Sequence, residues 1–220
     1  MEQRRGGEPE DGPGPPTFVA ERTTAFLDAV VAIAMTLLIL PLMESVGDVA
    51  ESGASAGEWF GEHDQQLVSF VLSFVLIAMF WISHHRLYAS VQRVTVPLLC
   101  ISMAWLLTIV WLPVATAMSG RFSDGDGLVK AVYIGSMIAI CLMTLVTRAY
   151  LARQPELHDS SQTLLRRGMA VDIAQALLFT LALVLAVTVR SLGYSALFIM
   201  VLVGPLQGAV GRMLGVPRGP

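Results

Sequence analysis

Long, nearly uncharged apolar runs recur along this chain, and no other feature of it restricts the possible folds as strongly. Six spans stand out, at about 24–43, 66–88, 97–118, 128–150, 168–190 and 194–214. A run of roughly 18 to 24 apolar residues, coiled at 1.5 Å per residue, crosses the roughly 30 Å hydrocarbon core of a bilayer. A soluble helix of that length would carry a polar stripe every three or four residues, and these runs carry almost none. The composition agrees, with 55% of 220 residues hydrophobic and 14% charged, where a soluble domain is nearer a quarter charged. The expected fold is an all-α membrane protein with six transmembrane helices.

The connections are short except for 44–64 and 153–166, which leaves no room for a separate soluble domain. Residues 1–17, rich in Gly, Pro and Glu, read as a disordered tail without the apolar core of a signal peptide. Residues 18–215 form the expected six-helix unit and 216–220 a short second tail. Eleven of the fourteen basic residues fall on one side: in the two tails with Arg22 and Arg212 beside them, in the 84–95 turn and in the 148–167 loop. Arg121, Lys130 and Arg190 are the exceptions, on the opposite side. Because basic short loops stay inside, both termini should be cytoplasmic in a multi-pass protein of the cell membrane.

Other classes lose ground on the same residues. A net charge of -3 and scattered arginines offer no surface for nucleic acid. Cys100 and Cys141 both lie within apolar runs, as packing residues rather than a disulfide or metal pair. No cofactor, metal site or catalytic group is expected. Ser83 beside His84 is the nearest candidate for a nucleophile and base, yet neighbours on a helix do not face each other.

The few charges inside the spans carry more information. A charged side chain deep in a span costs about 2.5 to 3.5 kcal/mol and usually faces protein or water. Asp28 lies six residues past Arg22, and Asp172 five past Arg167, both inward from the same side. "MFWISHHRLY" returns the second span to that side and brings Trp81, His84, His85 and Arg86 to similar depth. At 100° per residue Ala29, Ile33, Thr36, Leu37 and Leu40 share one stripe of the first helix, while Asp28 lies about 140° from Ile33. Asp28 should therefore anchor the first helix to the second. The stripe by itself is as ordinary as any lipid-facing or packing surface. Gly204, Gly208, Gly211 and Gly215 give small-residue spacings of the kind that commonly pack membrane helices.

Two separated motifs add a resemblance. Arg22, Phe26 and Asp28 in "RTTAFLD", followed by "AVVAIAMTLLIL", resemble the R-x-x-x-F-S-D opening of the first helix in the transmembrane protein 175 family. "FWISHHRLY" at 80–88 is similar to that family's second-helix signature. Animal members are endolysosomal potassium channels with two six-helix units. Single-unit prokaryotic members imply a homotetramer with the first helices around a central pore. The family lacks the TVGYG filter, as does this sequence. The resemblance maps a branched apolar gate to Ile33, a selectivity threonine to Thr36 and a further pore ring to Leu40. It implies a structural polar network behind the pore helix from Arg22, Phe26, Asp28, Trp81, His84, His85 and Arg86; Asp172 joins by depth alone. Leu27 stands where the motif has serine, which weakens the network's carry-over more than the pore's.

The expected function is a passive, potassium-permeable cation channel whose partners are potassium ions, copies of itself and the bilayer. A proton-coupled secondary transporter using Asp28, Asp172, His84 and His85 is the alternative.

Overall fold

The first five apolar runs are helical in the structure, the first of them in two pieces; it is a computed structural model that describes residues 17–52, 55–122, 126–189 and 203–213. A short strand β1 (Thr17–Val19) leads into α1 (Ala20–Leu37), α2 (Leu40–Ser52) and α3 (Ala56–Glu62). Then come α4 (Asp64–Tyr88), strand β2 (Arg93–Thr95), α5 (Val96–Arg121), α6 (Gly127–Leu151) and α7 (Gln162–Thr188), and last α8 (Val203–Met213). Among the described residues five helical stretches are long and apolar enough to cross a membrane, α1 with the start of α2 counting as one. Of the sixth expected span, α8 is described and the rest lies outside the described residues, as do the two expected tails apart from Thr17.

The first span is interrupted at Leu38 and Ile39. Pro41 supplies the cause: it has no N–H for the carbonyl of Leu37, and its ring crowds that carbonyl. The chain tightens there into an Ile39 N to Thr36 O bond at 3.3 Å, and resumes with Met43 N to Ile39 O at 3.0 Å. The 44–64 segment, expected to be a loop, is helical over most of its described length. Ser55 caps α3, and Glu58 bonds back to the Ser55 N–H at 2.7 Å. That reciprocal box holds the exposed Glu58 carboxyl below its ordinary pKa, the Ser55 backbone bond being the larger cause and the Ser55 hydroxyl the second. Trp59 then docks α3 on α2 by donating to Ser45 Oγ at 3.2 Å.

Strands β1 and β2 pair antiparallel, with Thr17 opposite Thr95 and Val19 opposite Arg93. Each strand runs straight into a helix, so this ribbon ties the start of α1 to the start of α5. Thr95 also caps α5, where Pro97 occupies the first turn, and its hydroxyl meets Tyr150 of α6 at 2.8 Å.

The core lies between α4, α5, α6 and α7 around Trp105, Tyr133, Ile109, Met137 and Phe179, all essentially inaccessible. Lipid tails are as apolar as leucine, so close packing and interhelical hydrogen bonds, rather than escape from water, hold such helices together. Ser73 of α4 is 2.8 Å from the Tyr133 hydroxyl of α6 and accepts from Thr116 of α5 at 2.8 Å, which joins three helices at one point. Tyr88 and Ser102 bond α4 to α5 lower down. Gly120 of α5 is needed where it passes α4, because a Cβ there would stand 3.3 Å from the Gln66 Cα.

Candidate functional site

Burial alternates along α1 at helical spacing. Thr23, Leu27, Val31, Ala34 and Leu38 face the bundle and are buried. Ala29, Ile33, Thr36 and Leu37, then Leu40 at the start of α2, are exposed, with Ile33 57% accessible. Among the described residues no other part of the chain covers that stripe. The Thr36 hydroxyl donates to the Ile33 carbonyl at 2.7 Å. Its hydrogen is thereby committed to the helix, while its oxygen lone pairs stay available as an acceptor on the exposed face.

Asp28 is held on the other side of the helix. Its Oδ1 accepts from Trp81 Nε1 at 2.7 Å, and its Oδ2 lies 3.2 Å from His85 Nδ1. Trp81 and His85 are one turn apart on α4, so both reach the same carboxylate. The side chains of Asp28 and His85 are 32% and 47% exposed, and a cavity of about 390 Å³ reaches them between α1 and the end of α4. Leu27, in the motif serine's place, is 2% exposed and part of the apolar core. A residue there points into the bundle, and the two indole and imidazole contacts to Asp28 form without it.

The remaining residues of the expected network do not join this anchor. His84 faces away, stacked on Trp105 at a ring-centroid distance of 3.7 Å and on Tyr88 at 4.6 Å. Its Nε2 is buried without a hydrogen-bond partner. Adjacent residues on a helix point about 100° apart, which is why the two histidines part company. Arg22 and Phe26 are exposed and border a separate cavity with Phe18, Val19 and Leu99. Arg86 is exposed and borders yet another, toward α6 and α7.

Asp172 requires the largest correction. It lies on α7 and its Oδ2 accepts from Arg148 Nε of α6 at 2.8 Å, with side-chain exposures of 3% and 12%. Arg148 Nη2 also donates to Ser83 Oγ of α4 at 3.1 Å. Matching depth placed Asp172 with Asp28, but α6 and α7 pack along each other, and the nearer cation takes it. Arg148 stands at the edge of the 148–167 segment, where in the sequence it reads only as a loop charge. The readable signal was Asp172: a carboxylate inside a span needs a cation at its own depth, and Arg148, three residues before the end of α6, is one. Gly168 makes the pairing possible, since a Cβ on it would lie 2.6 Å from the guanidinium carbon of Arg148. Among the described residues no three His, Cys, Asp or Glu side chains gather as a metal site would require.

Long apolar helices, with Asp28 and Asp172 bonded across helix contacts, define an all-α multi-pass membrane protein. The family model described as the endosomal/lysosomal potassium channel TMEM175 matches residues 22–113, which contain both sequence motifs. A protein of Streptomyces collinus named as a potassium channel is 31% identical over 143 residues, covering 63% of this chain and 67% of that one. The chicken protein named endosomal/lysosomal proton channel TMEM175 is 30% identical over 148 residues, 63% of this chain but 30% of its own length. The fold is similar to a crystal structure described as a lysosomal potassium-selective channel TMEM175 homolog from Chamaesiphon minutus. The TM-score is 0.66 at 21% identity, over 87% of this chain and 97% of that one. The chain belongs to the TMEM175 family of cation channels.

Proposed function

We propose that this protein is a passive, potassium-permeable channel of the cell membrane, with both termini cytoplasmic, whose pore forms where the α1 faces of four copies meet. The observation that carries the reading is the two-sided α1: an uncovered apolar stripe with one hydroxyl on one side, and Asp28 tied to α4 on the other. One bundle with one such stripe encloses nothing, so a closed ring of subunits is required. Ile33 from each copy forms a dewetted constriction, and ions pass when the helices lean apart. Ala29, Leu37 and Leu40 line the path on either side. Thr36 offers the acceptor oxygens nearest the constriction and favours a partly dehydrated cation there. Conduction down a gradient needs no cofactor.

Proton permeation is the second reading, supported by the Asp28–His85 pair beside a cavity and by the chicken relative's name. The coupled-carrier version counts on Asp28, Asp172, His84 and His85 acting as one relay. The Arg148 partner of Asp172 and the aromatic stack around His84 count against it.

Purified protein in liposomes tests both. Under a potassium gradient at equal pH the reversal potential follows potassium, and Ile33→Ala raises the current severalfold. Asp28→Ala chiefly lowers the yield of assembled oligomer. A reversal potential set by the pH gradient alone favours proton permeation, and an Ile33→Ala current equal to wild type removes the gate assignment.

A further inference from the structure

The cavity bordered by Arg86 has no role in the α1 face. It measures about 450 Å³ and opens between α4, α6 and α7. Three guanidinium groups border it, from Arg86 near the end of α4, Arg148 near the end of α6 and Arg167 near the start of α7. Ser83 and Ser160 add hydroxyls, and no acidic side chain is among the described residues that border it. Asp172 sits just behind, on the Nε of Arg148. Gln207 of α8 borders it too, and most of the remaining wall is apolar, including Met79, Ile82, Leu164 and Val171, with Leu164 59% exposed.

This is an amphipathic seat at one level of the bundle, on the side that carries most of the chain's basic residues. Guanidinium forks match phosphate oxygens in geometry and charge. Basic pockets between transmembrane helices on that kind of side suit anionic head groups. A free phosphate would use the arginines but not the apolar wall. We infer that the α4–α6–α7 cavity binds an anionic phospholipid, its phosphate among Arg86, Arg148 and Arg167 and an acyl chain along Ile82 and Leu164.

The test titrates the full chain, in mild detergent, with short-chain phosphatidylglycerol, short-chain phosphatidylcholine or inorganic phosphate, reading bound lipid by native mass spectrometry. Phosphatidylglycerol binds at least about tenfold more tightly than phosphatidylcholine, in proportion to the charge difference. Arg86→Ala/Arg167→Ala leaves the Arg148–Asp172 pair intact and weakens phosphatidylglycerol about thirtyfold, roughly fivefold per charge. Leu164→Glu weakens it as well, and inorganic phosphate does not displace it. Where the alanine pair fails to fold, Arg86→Gln/Arg167→Gln carries the same comparison. Equal binding of both lipids, or undiminished binding by the arginine variants, overturns the inference. Displacement by inorganic phosphate with no effect of Leu164→Glu also overturns it, in favour of a simple anion site.

Discussion

Deleting the carboxylate of Asp172 is the sharpest test of how the bundle is held. Asp172→Leu keeps the volume but leaves the Arg148 guanidinium, 12% exposed, with only the Ser83 hydroxyl. Breaking a buried pair by removing one partner costs about 3 to 5 kcal/mol, most of it the stranded charge. Two features decide where in that range the loss falls. Arg148 lies three residues, about 4.5 Å, from the end of α6, so its long stem lets the head group rise toward the interface. The acid it leaves is nearly inaccessible, so the pair itself is little screened. The first outweighs the second, because the stranded charge is the larger part of the loss, and places the cost near the lower end, about 3 kcal/mol. For a chain of 220 residues, a kcal/mol moves the melting temperature by about 2 to 4 °C, giving a fall of about 6 to 12 °C. The assay is a tryptophan-fluorescence melt in mild detergent. Arg148→Met/Asp172→Leu, which removes both charges, should recover to within about 1 kcal/mol of wild type. A single variant that melts like wild type, or a double variant as unstable as the single one, refutes the reasoning.

Further expectations follow from other contacts. Trp81→Phe keeps the ring and removes the N–H to Asp28; it costs about 1 to 2 kcal/mol, discounted for the partial exposure of the acid, and raises crosslinking-detected mobility of α1 against α4. Gly120→Ala pushes α5 from the backbone of Gln66 and costs about 1 to 3 kcal/mol in the same melt. Glu58 has a lowered folded-state pKa, so its stabilisation of α3 is present above the unfolded value and lost as pH falls through the folded one. Amide exchange at Ser55 should rise on that acid side, and Glu58→Gln, which cannot ionise, should abolish the pH step. Arg121→Ala breaks the exposed pair with Glu44 and should change the melting temperature by no more than the experimental scatter.

The first five spans were legible because hydrocarbon thickness sets a length that apolar runs either reach or do not. The two faces of α1 were legible from the wheel, since 100° per residue separates Asp28 from Ile33 whatever the rest of the bundle does. The α1–α2 break is readable in Pro41, whereas α2 and α3 are hidden by a Gly-, Ser- and acid-rich segment whose capping box lies within four residues. Partnerships were the least legible part. Depth along a helix can be counted from one end, but which helix lies alongside cannot, so depth alone groups Asp172 with Asp28 and gives no sign of its Arg148 partner. His84 and His85 sit together in sequence and apart in space because adjacent residues on a helix diverge by about 100°.

The β1–β2 ribbon limits how the first span can move. Its strands run without a linker into α1 and α5, in fixed register. Sliding α1 lengthwise would tear that seam, whereas leaning it about a fixed foot would not. The far end, where the helix breaks at Leu38 and Ile39 ahead of Pro41, is where such a lean would sweep the larger arc.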